Sequence, residues 1–461
     1  MTRLARLAAL CLTASIVGLL PVPATGTTLS EVHAHDDPTV VAGDLMTPEE
    51  RRALDLSDYV VTDPDASYFD VVERRRMLME STDPLLGAQV ENLGLGASCR
   101  QILNYPVLAG RMKLPPFYQS PDEWRNAAEP FFTFEGSLSR LAGSYVATGD
   151  PYFADCIADV LRKWSDSEAF LGMTVKQDLP QAWFAAESAL FAAGMAYSIA
   201  RPYITHERPQ DARLIEAWLR TASRKHISGQ ELDELSCCNN HFYRRALHAT
   251  VNGIVTGDDA LFQYGISAII SALSEMNEDG GFPREISRGT LAAHYQNYAM
   301  LYLITIMQLA ERQGYDLFHM KINGRSIELA AQYAIQAILH PRALEENIDA
   351  SQQLTFIQDD QYFTWMEIFL AHFRSEEIEA FVRQQRPTFN RSAGGYVSLY
   401  FYNPTEEILV PHAMYIEGEY VTRRKNCSQH PAWYEDRNTP WRMECERRMR
   451  LTYVDLDQDP E

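Results

Sequence analysis

The chain has 461 residues, 46% of them apolar, and a formal net charge of −21. That apolar share excludes a disordered chain, and the length allows one large domain or two to three ordinary ones. So acidic a chain is not a general nucleic-acid binder, because phosphate contacts need clustered Lys and Arg; any polyanionic partner must meet a locally basic cleft instead.

Residues 1–26 read as a secretory signal peptide. Arg3 and Arg6 form a basic start, Leu7 to Leu20 is an apolar run too short to span a bilayer comfortably, and Pro21 to Gly26 offers small residues for cleavage. The expected location is therefore periplasmic or secreted, with no membrane attachment after cleavage. Cleavage removes two bases and no acid, taking the charge from −21 to −23. Residues 27–84 read as a polar extension with one helix near Thr47–Leu56, where Thr47 caps and Pro48 takes the first helical position.

Residues 85–385 carry helical periodicity, which predicts helices over Phe131–Thr148, Pro151–Ser165, Gln181–Ala200, Gln210–Lys225, His241–Thr256, Asp259–Met276, Leu291–Gln313 and Ile327–Leu339. A weak repeat runs through them. Thr148-Gly149-Asp150 and Thr256-Gly257-Asp258 each place a Gly suited to a left-handed helix stop before an Asp suited to capping the next helix. The repeating unit is a helical hairpin, and stacked hairpins either close into an α/α toroid or remain an open solenoid or bundle. The expected class is all-α, an α/α toroid, with a small irregular or β extension over residues 386–461. There Tyr396–Tyr402 alternates like a strand, Ile408–Tyr415 offers a second, and the charged remainder reads as a solvated tail.

Six cysteines remain after the signal: Cys99, Cys156, Cys237, Cys238, Cys427 and Cys445. In an exported chain an even count predicts disulfides. At least one of Cys237 and Cys238 is expected to pair with Cys99 or Cys156, and Cys427 with Cys445.

The chemistry concentrates in two segments. Asn239-Asn240-His241-Phe242-Tyr243 precedes Phe282-Pro283-Arg284-Glu285-Ile286-Ser287-Arg288 and His294-Tyr295-Gln296-Asn297-Tyr298-Ala299. They supply an amide, an imidazole, a guanidinium and a phenol. The proton at C5 of a uronate is weakly acidic, and its removal builds charge on the adjacent carboxylate, so donors must stand where that charge grows. Asn240, His241 and Arg288 are such donors. Tyr295 suits the base and the acid that protonates the departing O4, because nearby cations favour a phenolate. Asn239 suits the helix cap ahead of His241, and Tyr298 shares the helix face of Tyr295.

These motifs resemble the periplasmic alginate lyases of the α/α-toroid type, over about 235–315 closely and over about 95–235 more loosely. The resemblance implies that Asn240, His241 and Arg288 neutralise the uronate carboxylate while Tyr295 acts as base and acid in a syn elimination. It also implies a lid loop around Arg111-Met112-Lys113-Leu114-Pro115-Pro116-Phe117-Tyr118, with Lys113 and Tyr118 as substrate contacts. The expected protein is a monomeric lyase of an anionic polysaccharide that uses no cofactor and no metal. Polymannuronate leads as substrate, with polyglucuronate or another exopolysaccharide behind it. Two other functions stay open: an inverting glycoside hydrolase using carboxylates among Asp178, Glu187, Glu278 and Asp279, and a polysaccharide-binding protein without turnover.

Overall fold

A helix that is apolar on all sides must be surrounded by others, whereas a helix with one apolar stripe covers a surface. Both kinds alternate along this chain. The computed structural model describes residues 45–228, 236–404 and the backbone of the strand pair Tyr415–Ile416 and Glu419–Tyr420, apart from the side chains of residues 175–180. The expected signal peptide, most of the Ile408–Tyr415 strand and the Cys427–Cys445 pair lie outside the described residues. In chain order the helices are α1 (Pro48–Arg52), α2 (Val71–Glu80), α3 (Pro84–Leu93), α4 (Cys99–Leu103), α5 (Pro121–Thr148), α6 (Pro151–Asp166), α7 (Val175–Glu207), α8 (Pro209–Ile227) and α9 (Asn240–Thr256). They continue as α10 (Asp259–Glu275), α11 (Pro283–Ile286), α12 (Ala292–Glu311), α13 (Ile327–Leu339), α14 (Pro341–Ile348), α15 (Thr364–Leu370), α16 (Glu376–Gln385) and α17 (Val397–Phe401).

Helices α5, α7, α9, α12 and α15 pack in sequence as an inner ring, and α6, α8, α10, α13 and α16 lie outside them. The inner α9 is buried from Tyr243 onward except at Arg244, while the outer α8 buries Ala212, Ile215, Trp218, Leu219, Ala222 and His226, a single stripe. The expected toroid of helical hairpins is thus the observed architecture. Its hairpin turns follow the repeat: Gly149 and Gly257 adopt left-handed φ values of 69° and 63°, and the Asp150 and Asp258 side chains accept from Tyr152 and Leu261 N–H groups.

Four short-range expectations need correction or trimming. The Tyr396–Tyr402 strand is instead helix α17, with Tyr400 N–H donating to Tyr396 O. Val397 through Tyr400 are all buried, so the apparent alternation had no solvent side to define a strand face. The helix near Thr47 ends at Arg52, with a capping box formed by Thr47 and Glu50. Helix α5 begins ten residues before Phe131 and runs through Pro130. Among the described residues the disulfides are Cys99–Cys156 and Cys237–Cys238, not a bridge between those pairs. The reason is packing: α4 lies on α6, which brings Cys99 and Cys156 to a Cα separation of 5.7 Å, while Cys238 faces Arg51 and Met46.

The ring closes through segments from both ends of the described chain. Helix α17 packs on α15 and α3, and α3 packs on α5. Arg74 on α2 donates to the carbonyls of Leu399, Ser398 and Tyr402 at 2.5, 3.3 and 2.8 Å, satisfying the final carbonyls of α17. Tyr68 donates to Gly394 O, and Phe69 stacks on Tyr400 at 4.5 Å. Hydrogen bonds therefore cross the sequence-level boundaries at residues 84 and 385. Arg74→Met strands these buried carbonyls and should destabilise the fold by about 2–4 kcal/mol in urea denaturation. Arg76→Met, on the same helix but in exposed pairs with Glu73 and Glu80, should leave the midpoint unchanged.

Candidate active site

The first turn of α9 carries two of the expected donors. The Asn239 side chain caps the helix by accepting from His241 N–H at 3.1 Å. Asn240 is fully buried, and its orientation is set by one carboxylate. Its backbone N–H donates to Glu285 Oε1 at 2.5 Å and its side-chain Nδ2 to Oε2 at 2.9 Å. Anchored in this way, one amide N–H of Asn240 is committed to Glu285, and the other makes no hydrogen bond among the described residues. The His241 ring lies on Phe184 of α7, with centroids 3.8 Å apart.

Glu285 belongs to α11, a single turn that delivers Arg288 three residues later. A 3-10 turn over Gly289–Leu291 separates Arg288 from α12, so Arg288 stands on the approach to the helix and not on its face. Its guanidinium lies 4.9 Å from the centroid of the Tyr295 ring. Tyr295, in the first turn of α12, shares a hydrogen bond through its hydroxyl with Tyr118, an exposed residue of the loop before α5. The turn ahead of α11 is held by buried Gln296, which accepts from Phe282 N–H and donates to Gly280 O. Burial raises the pKa of Glu285, and the nearby Arg288 cation opposes that rise.

The structure thus brings Asn239, Asn240, His241, Arg288, Tyr295 and Tyr118 into one neighbourhood. Tyr298 joins it through Arg244, whose Nη2 donates to the Tyr298 hydroxyl at 2.7 Å. Lys113 is exposed on the same loop as Tyr118 and makes no hydrogen bond or ion pair among the described residues. Sequence reasoning gave no role to Glu285, Phe184 or Arg244. Glu285 stood inside the quoted motif, three residues before Arg288; Phe184 and Arg244 carry no signal without the fold.

The alginate lyase family model matches residues 108–344, just over half of the chain and all of the inner segments that build this site. The chain belongs to the alginate lyase family. Among its relatives is a polysaccharide lyase of Stenotrophomonas maltophilia, 28% identical over 255 residues that make up 55% of this chain and 74% of that protein. An alginate lyase of Pseudomonas syringae pv. tomato is 24% identical over 62% of this chain and 76% of its own length. In three dimensions this family member is similar to alginate lyase A1-III from Sphingomonas species A1, with a TM-score of 0.67, 30% identity and coverage of 76% of this chain and 100% of the other. A histidine-to-alanine variant of A1-III complexed with a tetrasaccharide aligns with a TM-score of 0.68.

Two of the carboxylates that a hydrolase would need are engaged in other contacts. Glu187 is fully buried and held 2.9 Å from Arg245, and Asp279 accepts from Gly281 N–H within a turn. Neither stands with Tyr295, and the Asp178 side chain lies outside the described residues.

Proposed function

We propose that this lyase cleaves alginate, with polymannuronate as its preferred form, by β-elimination at the site of Asn240, His241, Arg288 and Tyr295. The observation that carries the proposal is the joint placement of an amide fixed by Glu285 and a guanidinium lying against a tyrosine ring. The reacting uronate presents its carboxylate to the Asn240 amide, His241 and Arg288, which offset the charge that grows on it as C5 loses its proton. Tyr295 takes that proton. The C5–H electron pair becomes the C4=C5 double bond, the C4–O4 bond breaks, and O4 leaves with a proton returned by the same phenol. Tyr118, bonded to Tyr295, and Tyr298 line the sugar path, and Lys113 meets the polymer from the loop before α5.

The basic start, apolar run and small residues at 1–26 support export of the protein, and we read it as a monomer in the periplasm or outside the cell. N-terminal sequencing of the mature protein from fractionated cells tests the first point, and sedimentation tests the second. Activity is tested by ultraviolet absorbance during incubation with polymannuronate, polyguluronate and polyglucuronate. A rise on polymannuronate is expected. New reducing ends without absorbance on any polymer would replace the elimination with hydrolysis.

Glu285 acts through Asn240. Glu285→Gln keeps the size but leaves one Asn240 donor without its acceptor, so turnover should fall by about 10- to 100-fold. Binding of oligosaccharide should change less, because Arg288 is untouched. Equal turnover in the variant, at unchanged thermal stability, would remove Glu285 from the machinery.

A further inference from the structure

Arg244 and Arg245 are neighbours in sequence with opposite surroundings. Arg245 is buried, with Nε 2.9 Å from Glu187 and Nη2 2.7 Å from Ser236 Oγ, and its charge is matched. Arg244 is partly exposed and has no carboxylate within ion-pair distance among the described residues. Its partners are neutral: Nε donates to Tyr302 OH at 3.2 Å, Nη1 to Phe184 O at 3.1 Å and Nη2 to Tyr298 OH at 2.7 Å. The rings of Phe184, Tyr298 and Tyr302 flank it, with centroids 5.7–5.9 Å away. Three of its five N–H donors are thereby used and two are left.

The nearby buried acids are already matched: Glu187 by Arg245, and Glu135 by Arg391 at 2.9 Å. Arg244 feels both acids but touches neither, so its guanidinium keeps two unused donors in a partly buried place, an arrangement that favours an incoming anion. It lies three residues beyond His241 and four beyond Asn240 on α9, hence on their face of the helix. It also bridges Phe184, which carries the His241 ring, and Tyr298, one turn beyond Tyr295.

We infer that Arg244 is a specificity-determining residue that binds the carboxylate of the uronate adjacent to the one that reacts. The reacting carboxylate already has Asn240, His241 and Arg288. One helical turn, about 5.4 Å, is on the scale of the advance from one pyranose ring to the next. The substrate class is then a polymer with carboxylates on consecutive sugars, and a polymer alternating uronate with neutral sugar is a poor one. This inference rests on the proposed site.

The test measures calorimetric binding of a mannuronate tetrasaccharide, and of the same oligomer with its carboxyls reduced to alcohols, to full-length protein carrying Tyr295→Phe. Adding Arg244→Gln should weaken the charged oligomer about 10-fold or more and leave the reduced one unchanged, with Arg244→Lys recovering part of the loss. Equal weakening of both oligomers would mean that Arg244 only shapes the cleft, and no weakening of either would remove it from the site; each overturns the inference. If the otherwise unsubstituted enzyme forms no unsaturated product from polymannuronate, the reading of the site fails and the role of Arg244 falls with it.

Discussion

Tyr295→Phe should abolish turnover and leave binding almost intact. The substitution removes one oxygen from a residue whose ring remains packed against the Arg288 guanidinium. Nothing else in the neighbourhood loses support, since the Tyr295 hydroxyl is bonded to exposed Tyr118 and not to the core. Proton transfer by a positioned group contributes typically 10²- to 10⁴-fold, and here one phenol both takes the C5 proton and returns one to O4. A loss of about 10³-fold or more in the rate of unsaturated-product formation is therefore expected, with the dissociation constant for a tetrasaccharide within a few-fold of the original. Residual turnover within 10-fold of the parent would reassign the base, with His241 the next candidate.

Arg288→Ala should weaken both steps. The guanidinium is a permanent cation on the approach to α12, and a planar fork can hold the uronate carboxylate through two parallel hydrogen bonds. Its loss removes attraction in the ground state and leaves the growing charge to a neutral amide and an imidazole. The expected fall in kcat/KM is about 10³-fold, divided between a higher KM and a lower kcat. Arg288→Lys should restore the charge but not the fork, so it should recover KM more than kcat. A variant with altered KM and an unchanged kcat would show that Arg288 binds substrate without assisting the chemistry.

The parts of this design legible in the sequence are those written by local rules. Caps at Asp150 and Asp258 and glycine stops at 149 and 257 were enough to mark the helical hairpins, while their closure into a ring, and not an open solenoid, was left to the fold. The clustered motifs likewise marked the site, because residues 239–241 and 288–298 each lie at the start of an inner helix. What escaped were relations between distant segments. Glu285 gains its meaning only from Asn240, 45 residues earlier, and Arg244 only from Phe184 and Tyr298. The expected bridge from Cys237 or Cys238 to Cys99 or Cys156 failed for the same reason, since which thiols meet depends on how α4 lies on α6. The start of α5 was also missed: the helix begins at Pro121 and continues through Pro130, ten residues ahead of the expected Phe131.

The contacts of Arg74 with residues 398–402 join positions about as far apart as this fold permits, 325 residues in the case of Leu399. During synthesis the strip that becomes the catalytic turn is complete long before its clasp exists. Until residues 386–402 are in place, α15 lacks its contact with α17, and the arc of inner helices is not joined to α3. Such distant pairings are slow to form, and the uncovered faces are sticky while they wait. The last piece of the ring to be made is thus the one that joins α15 to α3 and closes the arc of helices.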